Sequence, residues 1–415
     1  MKKYVLITWG IAGIGGGQFY TLNRCNYYRN NGYSVFVCHL LDGEVLLPEL
    51  NSFPHLLIPN LRFDPNAYLK HRVNLILKRI ENFICFSEDD EILVESNSIA
   101  QAQWAEMLAK RIKAKHFYYI LGEHDKVKSL VTAKFVEFKI NRGEVAGITV
   151  SSVPKLMNNW RHIENGKKYA VTAPLIIDII DYPFPSLENL NPVDFTIGVM
   201  ARLEKLFVLP TLIAIAEFCT KHIDKSFRII IAGDTDNTQV KKNIMDVFAN
   251  VHNVILLMTG YISPVPKRYF DICDLCVSSS GCAGLSDREG TLTISIDAKD
   301  CLPIGILGFT TNNRVYRQDE PAVPLASLLE DVLIKKKYPF HHERISRDYT
   351  VQDLMKKEID YINNSCAEKE YYEFSEYYTW QSRKKSIKER LYQFVKDKFG
   401  SKAIRVIHKI HHSIN

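Results

Sequence analysis

"FTIGVMARLEKLF", residues 195 to 207, sets an apolar strand-like run directly against a charged turn. FTIGVMA has the continuous apolar character of a strand buried on both faces. A helical pattern follows from Pro210 to His222, which puts Arg202 and Lys205 in the turn between strand and helix. Such a turn lies at the carboxyl edge of a parallel sheet, where ligands of open α/β sheets bind. Two cations three residues apart can neutralise a diphosphate there. They can equally be ordinary charges of a solvated loop.

Downstream the rhythm repeats. RIIIAGD (228–234) precedes a helix from Gln239 to Ala249, and NVILLMTG (253–260) precedes a short helix near Pro266 to Ile272. LCVSS (275–279), a helix near Thr291 to Ala298 and LPIGILG (302–308) complete the series. Upstream the pattern is similar: KYVLITW, a helix from Gln18 to Asn30, SVFVCHL, EILVES, a helix from Ala100 to Ile112, KHFYYIL, GITVSS and KYAVTAP. Alternation of this kind predicts βαβ units and parallel sheets. Between the two series, DYPFPSLENLNPVD (181–194) is rich in Pro, Asn and Asp, as an interdomain linker is. The expected organisation is a Rossmann-like domain over 1–184, a linker over 185–194 and a second such domain over 195–370. Residues 371–415 then form a crossing helix and a basic tail. Two doubly wound domains with a cleft between facing sheet edges is the simplest assembly.

Composition fits this picture. The chain has 415 residues, enough for two domains, and is 46% hydrophobic and 24% charged. No apolar run approaches the ~20 residues that cross a bilayer. The nine cysteines are scattered in apolar contexts, which reads as buried thiols in a reducing cytosol. Cys273 and Cys276, with Cys282 and Cys301 beyond, resemble a zinc pattern in spacing alone. Their context, YFDICDLCVSSS, reads as a helix end running into a strand and not as a metal-binding turn.

Charge is unevenly spread. Residues 383–415 hold ten Lys and Arg against Glu389 and Asp397, a local +8, so the rest of the chain carries −2 of the total +6. This excludes a general nucleic-acid binder and marks a local basic patch. Within it, Ile404, Ile407, Ile410 and Ile414 recur at helical spacing between Lys402, Arg405 and Lys409. Such a helix suits an anionic membrane surface, or docks on its own protein.

The segment SDREGTLTISIDAKDCLP (286–303) is the second place where chemistry concentrates. Read as a loop entering a helix, it puts Glu289 before a first turn containing Gly290, Thr291 and Thr293, a seat for phosphate. Asp297 then falls about two turns into that helix. One carboxylate can accept hydrogen bonds from a sugar and the other from a ribose diol. The plainer reading makes Glu289 a cap and Asp297 a surface acid.

Taken in order, these segments resemble the nucleotide-binding half of the retaining GT-B glycosyltransferases, the family-4-like group. GVMARLEK loosely matches the family's strand-end G-R-L-x-x-x-K loop. IIIAGDT matches its strand ending in A/G-G-x-G, GYIS its G-x-(I/V) turn, and EGTLTISID its E-G-x-x-x-x-x-x-E element, with Asp297 for the second Glu. AKDCLPIG keeps the proline of a small-x-x-x-G-x-P segment but is one residue short, and YYEFSEYYTWQSRKKSI looks like the terminal crossing helix. The likeness is strong over 195–305 and weak before 180. It implies a nucleotide-diphospho-sugar donor, UDP- or GDP-linked, and a lipid-linked or polysaccharide acceptor.

By that likeness Arg202 and Lys205 hold the diphosphate, Glu289 the sugar and Asp297 the ribose. Gly233, Asp234, Tyr261, Gly290, Thr291 and Leu292 would line the donor. The first domain would supply the acceptor, with Gly16 and Gly17 of GIAGIGGGQF in the place of the family's glycine turn and His124 of YILGEHDK as a cleft-facing histidine. Glu123 beside it is an alternative. The D-x-D of Asp234 and Asp236 sits where the family has no metal, so none is expected, nor any cofactor besides the donor. SEDDE (87–91) reads as a solvated acidic cluster. The implied enzyme is a cytoplasmic, membrane-peripheral hexosyltransferase of cell-surface polysaccharide synthesis. A nucleotide-sugar epimerase or hydrolase on the same fold, or a non-catalytic binder, is the alternative.

Overall fold

The computed structural model describes residues 1–121, 126–147, 152–157, 179–345, 351–365 and 370–374. The chain divides into two units, Met1–Leu175 with Tyr349–Asn415, and Ile176–Asp348.

The first unit runs β1 (Lys2–Thr8), α1 (Gly16–Asn30), β2 (Ser34–His39), β3 (His55–Leu57), α2 (Lys70–Phe83), β4 (Glu91–Ser96) and α3 (Ile99–Ile112). It continues through β5 (Lys115–Ile120), α4 (Leu130–Asn141), β6 (Val145–Gly147) and α5 (Ser152–Met157). Its six strands pair in the order β3-β2-β1-β4-β5-β6, every pair parallel. Of β1 only Lys2 is exposed, as expected for a strand covered by helices on both faces.

The second unit holds β7 (Ile179–Ile180), β8 (Phe195–Met200), α6 (Val208–Lys221), β9 (Phe227–Ala232), α7 (Thr238–Phe248), β10 (Val254–Gly260) and β11 (Val265–Pro266). After these come α8 (Lys267–Ile272), β12 (Leu275–Ser278), α9 (Ser280–Arg288), β13 (Thr293–Ile296), β14 (Pro303–Ile306) and α10 (Leu325–Leu329). The main sheet has the order β10-β9-β8-β12-β13-β14, parallel except for the antiparallel β14. Every residue of β8 and β9 is buried. In both sheets the chain starts centrally, builds to one side and then crosses to the other. The reversal falls between β1 and β4 in the first unit and between β8 and β12 in the second. Ligands of doubly wound sheets bind outside the carboxyl ends at such a switch point.

After the second unit, α11 (Val351–Asn364) returns to the first. Ile359 and Ile362 join the apolar cluster of Tyr4, Tyr20 and Tyr28. Lys115 donates to the carbonyls of Ile362 and Ser365, placing a cation at the negative end of the helix. Tyr372 and Phe374 then pack on Phe135.

One element differs from the expectation in kind. Thr291–Ala298 is not a helix: Thr293–Ile296 is β13, and the helix of this region, α9, precedes it. TLTISI is dominated by β-branched residues, which fit a pleated, buried surface better than a helix. Gly290, at φ +87°, follows the C-cap Glu289 and is the left-handed stop of α9, not the opening of a new helix. KYAVTAP and the basic tail lie outside the described residues.

Candidate functional site

Three strand ends of the second sheet are stitched together at its carboxyl edge. The Ala201 N–H donates to Ala232 O (3.1 Å) and the Leu203 N–H to Asp234 O (3.2 Å), which binds the turn after β8 to that after β9. The Gly233 N–H donates to Gly260 O (2.9 Å), which adds the end of β10. This stitching requires glycine at 233. Its φ is +154°, and a Cβ there would overlap the Ala201 carbonyl, lying 2.8 Å from its carbon.

The side chains around this ring carry balanced charge. Arg202 pairs with Glu204 at 3.5 Å, both half-exposed, and Asp234 pairs with Lys241 at 2.6 Å while also accepting from the Thr235 N–H. Burial pushes the Tyr261 hydroxyl above its ordinary value, and the charges of Glu204, Asp234 and Asp236 push it further, against Arg202. That ring of influences places Tyr261 among the same side chains.

On the other side of the switch point, Ser278 donates to Met200 O (2.6 Å), tying β12 to the end of β8. Lys205 lies beside α9: burial raises the Cys282 thiol and the Lys205 charge lowers it. The first turn of α9 therefore shares this edge with Lys205; of its N–H groups, that of Ala283 donates to Ser279 O (3.5 Å). Ser280, at φ +57°, turns the chain into α9, and its N–H donates to Arg314 O (2.6 Å). A dipole end, a lysine and an arginine at a switch point are groups that can hold an anion.

Of the residues expected at the donor, Arg202, Lys205, Gly233, Asp234 and Tyr261 come together. Glu289, Gly290, Thr291 and Leu292 do not join them. They follow α9 back to the start of β13, where Leu292 O accepts from the Cys276 N–H (2.8 Å), at the amino edge of the sheet. Their groups are spent locally. Glu289 is ion-paired with Arg288 and Arg344, and Thr291 donates to Phe270 O (3.0 Å). Leu292 is core, and a Cβ on Gly290 would lie 2.5 Å from His342 O. The helix N-terminus of this region is thus the head of α9, ten residues before the place expected for it. The signal was available: Ser278, Ser279 and Ser280 follow an apolar run, a helix N-terminus signature.

Asp297 is at the carboxyl edge, just after β13, but is not on a helix. One carboxylate oxygen accepts the N–H groups of Lys299 (2.7 Å) and Asp300 (3.2 Å), the other that of Arg317 (2.7 Å). Burial opposes its ionisation, yet those three N–H groups and the Arg317 charge hold the carboxyl below its ordinary range. With three N–H groups on its two oxygens, Asp297 orders the 297–317 segment.

In the first unit, Gly16 and Gly17 open α1 at the carboxyl edge beside the switch point, after a turn in which Gly13 takes φ +77° and donates to Glu44 O (2.7 Å). A Cβ on Gly17 would be in ordinary contact with Leu121, at 3.8 Å. His124 and Glu123 lie outside the described residues. Cys273 and Cys276 are core residues, and among the described residues no three His, Cys, Asp or Glu side chains are grouped to hold a metal ion.

No protein-family model matches the chain, and no curated protein is similar to it in sequence. Solved structures do match. Alr3699/HepE of Anabaena, determined in complex with UDP and glucose, superposes with a TM-score of 0.55 at 13% identity, over 87% of this chain and 99% of that one. A glycosyltransferase from Rickettsia africae gives 0.51 at 14%, covering 88% and 94%. A putative UDP-N-acetylglucosamine 2-epimerase from Listeria monocytogenes gives 0.51 at 12%, covering 90% and 100%. At these identities the likeness concerns the fold: the chain has the GT-B fold of two Rossmann-like units.

Proposed function

We propose that this GT-B chain is a glycosyltransferase that takes a sugar from a nucleotide-diphospho-sugar, UDP-linked or GDP-linked, and passes it to a lipid-linked or growing polysaccharide acceptor. The observation that carries this reading is the convergence of Arg202, Lys205 and the head of α9 at the switch point of the second sheet. A UDP complex of a fold relative supports a nucleotide-sugar as the donor class.

The chemistry follows from that charge arrangement. As the bond between the anomeric carbon and the diphosphate oxygen lengthens, negative charge grows on the phosphate. Lys205, Arg202 released from Glu204, and the N–H groups of Gly281 and Cys282 in the first turn of α9 stabilise that charge more than they stabilise the intact donor. The sugar acquires oxocarbenium character. The acceptor hydroxyl attacks from the face the phosphate leaves, giving its proton to a phosphate oxygen, so the anomeric configuration is kept. The reaction is proposed to run on these protein groups, without a metal and with no cofactor beyond the donor. The glycine turn of the first unit receives the acceptor, and His124 is proposed to steady it.

No helix among the described residues is long and apolar enough to cross a membrane. We propose that the protein works in the cytoplasm at the inner face of the cell membrane, held there by its basic C-terminal residues, in capsule or O-antigen assembly. Epimerisation or hydrolysis of the nucleotide-sugar is the second reading, favoured by the 2-epimerase among the fold relatives. Incubation with radiolabelled UDP- and GDP-sugars, with and without native membranes, separates the two. Label entering lipid or polysaccharide, lost in Lys205→Ala with an unchanged circular-dichroism spectrum, is the expected result. Altered free nucleotide-sugar establishes the second reading, and full transfer by Lys205→Ala overturns the site.

A further inference from the structure

The ring of strand-end charges leaves a problem. Arg202, Lys205 and Lys241 face Glu204, Asp234 and Asp236, three cations against three carboxylates, and two of the cations are already paired. A diphosphate brought to such a balanced edge gains little net attraction. A further cation is needed, and the segment between β14 and α10 carries one.

That segment returns to the carboxyl edge under tight backbone control. The Ala298 N–H donates to Val315 O (3.0 Å), the Arg317 N–H to the Asp297 carboxylate (2.7 Å), and the Ser280 N–H to Arg314 O (2.6 Å). Arg317 adds an ion pair with Asp300 at 3.2 Å. Residues 314–317 are therefore strung between the end of β13 and the head of α9. The Arg314 side chain lies flat against Gly284 of α9: a Cβ on that glycine would come 2.8 Å from Arg314 Cδ and closer still to the guanidinium. Its backbone is fixed while the residue as a whole is exposed, and among the described residues no ion pair holds it. On α9, Gly284 and Cys282 are turned roughly 200° apart, so Arg314 packs on a face of the helix turned away from Cys282.

We propose that Arg314 is a diphosphate-binding residue and that Asp297 is the positioning residue that holds it there. The proposal rests on the donor reading above. It reassigns Asp297 from a ligand of the ribose to an organiser of the segment that carries the cation. It also explains a glycine at 284, where any side chain would displace the guanidinium. A planar, always-charged fork suits two phosphate groups better than an ammonium would.

The test is calorimetric binding of UDP and UMP, with GDP and GMP in parallel, to the full chain and to five variants. Arg314→Ala, a change at an exposed side chain, is expected to weaken diphosphate binding at least tenfold while changing monophosphate binding less than threefold. Arg314→Lys should recover part of the loss. Gly284→Ala keeps the arginine but moves it, and is expected to reproduce most of the loss. Asp297→Asn should weaken the diphosphate likewise, and adding it to Arg314→Ala should cost nothing further, because its effect passes through that side chain. Unchanged diphosphate affinity in Arg314→Ala, beside a wild type that binds, overturns the proposal and leaves the donor reading standing. An Asp297→Asn loss that adds fully to Arg314→Ala removes the positioning role. A wild type that binds none of the four nucleotides overturns both readings together.

Discussion

The two units share a sheet topology and place their charges in opposite ways. In the second, the core around β8, β9 and α6 is apolar, and the charged residues that are buried, Arg228 and Asp297, stand near strand ends. In the first, a charged cluster lies inside, where α3, α4 and β5 meet. Glu106 accepts from Lys139 (2.9 Å), from His116 Nδ1 (2.7 Å) and from the Tyr372 N–H (3.0 Å). Lys139 also donates to Glu144 (2.6 Å), which Arg142 grips in turn. A carboxylate only accepts, so Nδ1 of His116 carries the proton and Nε2 accepts from Ser96. With His116 neutral the cluster is two cations and two anions, self-contained and able to survive burial. One oxygen of Glu106 is reserved for the returning chain at Tyr372. The first unit spends its charges on holding its own C-terminal segment, and the second keeps its charges at the rim, where a ligand can use them.

The sharpest way to break this contrast is Glu106→Ala. It leaves Lys139 short of a partner and the Tyr372 N–H unmet, and is expected to destabilise the first unit by about 3–5 kcal/mol, the usual cost of orphaning one side of a buried pair. Urea unfolding followed by tryptophan fluorescence, with Trp104 buried in this unit, reads it. A loss below 1 kcal/mol would show that the cluster does not hold the fold. The same cluster fixes a pH response. Burial, then the Lys139 charge, lowers His116 to about 4 despite Glu106, so the unfolded chain binds its proton first. Stability from this group is full above its ordinary value near 6.5 and falls as pH drops towards 4. Glu106 is held at about 2: burial opposes its charge, but Lys139, His116 and the Tyr372 N–H outweigh it. Its contribution is lost next, from about pH 4.5 downward. Melting temperature of the first unit should therefore fall in two steps on acidification, and Glu106→Ala should remove the lower one.

Gly233→Ala probes the rim of the other unit and ranks second. The added carbon must push the turn after β9 away from Ala201, at about 1–3 kcal/mol for a strained backbone held in place. The loss should appear with weakened nucleotide binding, since the same turn carries Asp234. Lost stability with unchanged binding would detach this ring from the donor site.

Much of this was legible in the sequence, and the limits are physical. The unbroken apolar runs of β8 and β9 announced a parallel sheet, and the strand-to-helix alternation put Arg202 and Lys205 in a turn at its carboxyl edge. What failed was the segment 280–297. SGCAGLSDR has two glycines and two serines in nine residues, a poor helix by propensity, yet it is helical because Ala283 and Leu285 are buried by the sheet. TLTISI followed an acid and a glycine, which suggested a helix start, but that glycine was a helix stop. Asp297 looked available because its partner, the Arg317 N–H, is twenty residues away, and no local pattern reveals such a bond. The Glu106 cluster was hidden for the same reason: Lys139 lies thirty-three residues on.

The smallest effect tests where the cluster ends. Arg142 reaches from Glu144 to Glu370 at 3.5 Å, but the Glu370 side chain is 68% exposed. A pair so open to water gains little Coulomb energy, and ordering a long side chain offsets much of that. Glu370→Ala should therefore cost less than about 1 kcal/mol and lose even that at high salt. Arg142 keeps Glu144, both of whose oxygens it contacts, so no buried charge is orphaned. If Glu370→Ala instead approached the cost of Glu106→Ala, the returning segment would be held by its rim charges, and the buried acceptor for the Tyr372 N–H would not be its anchor.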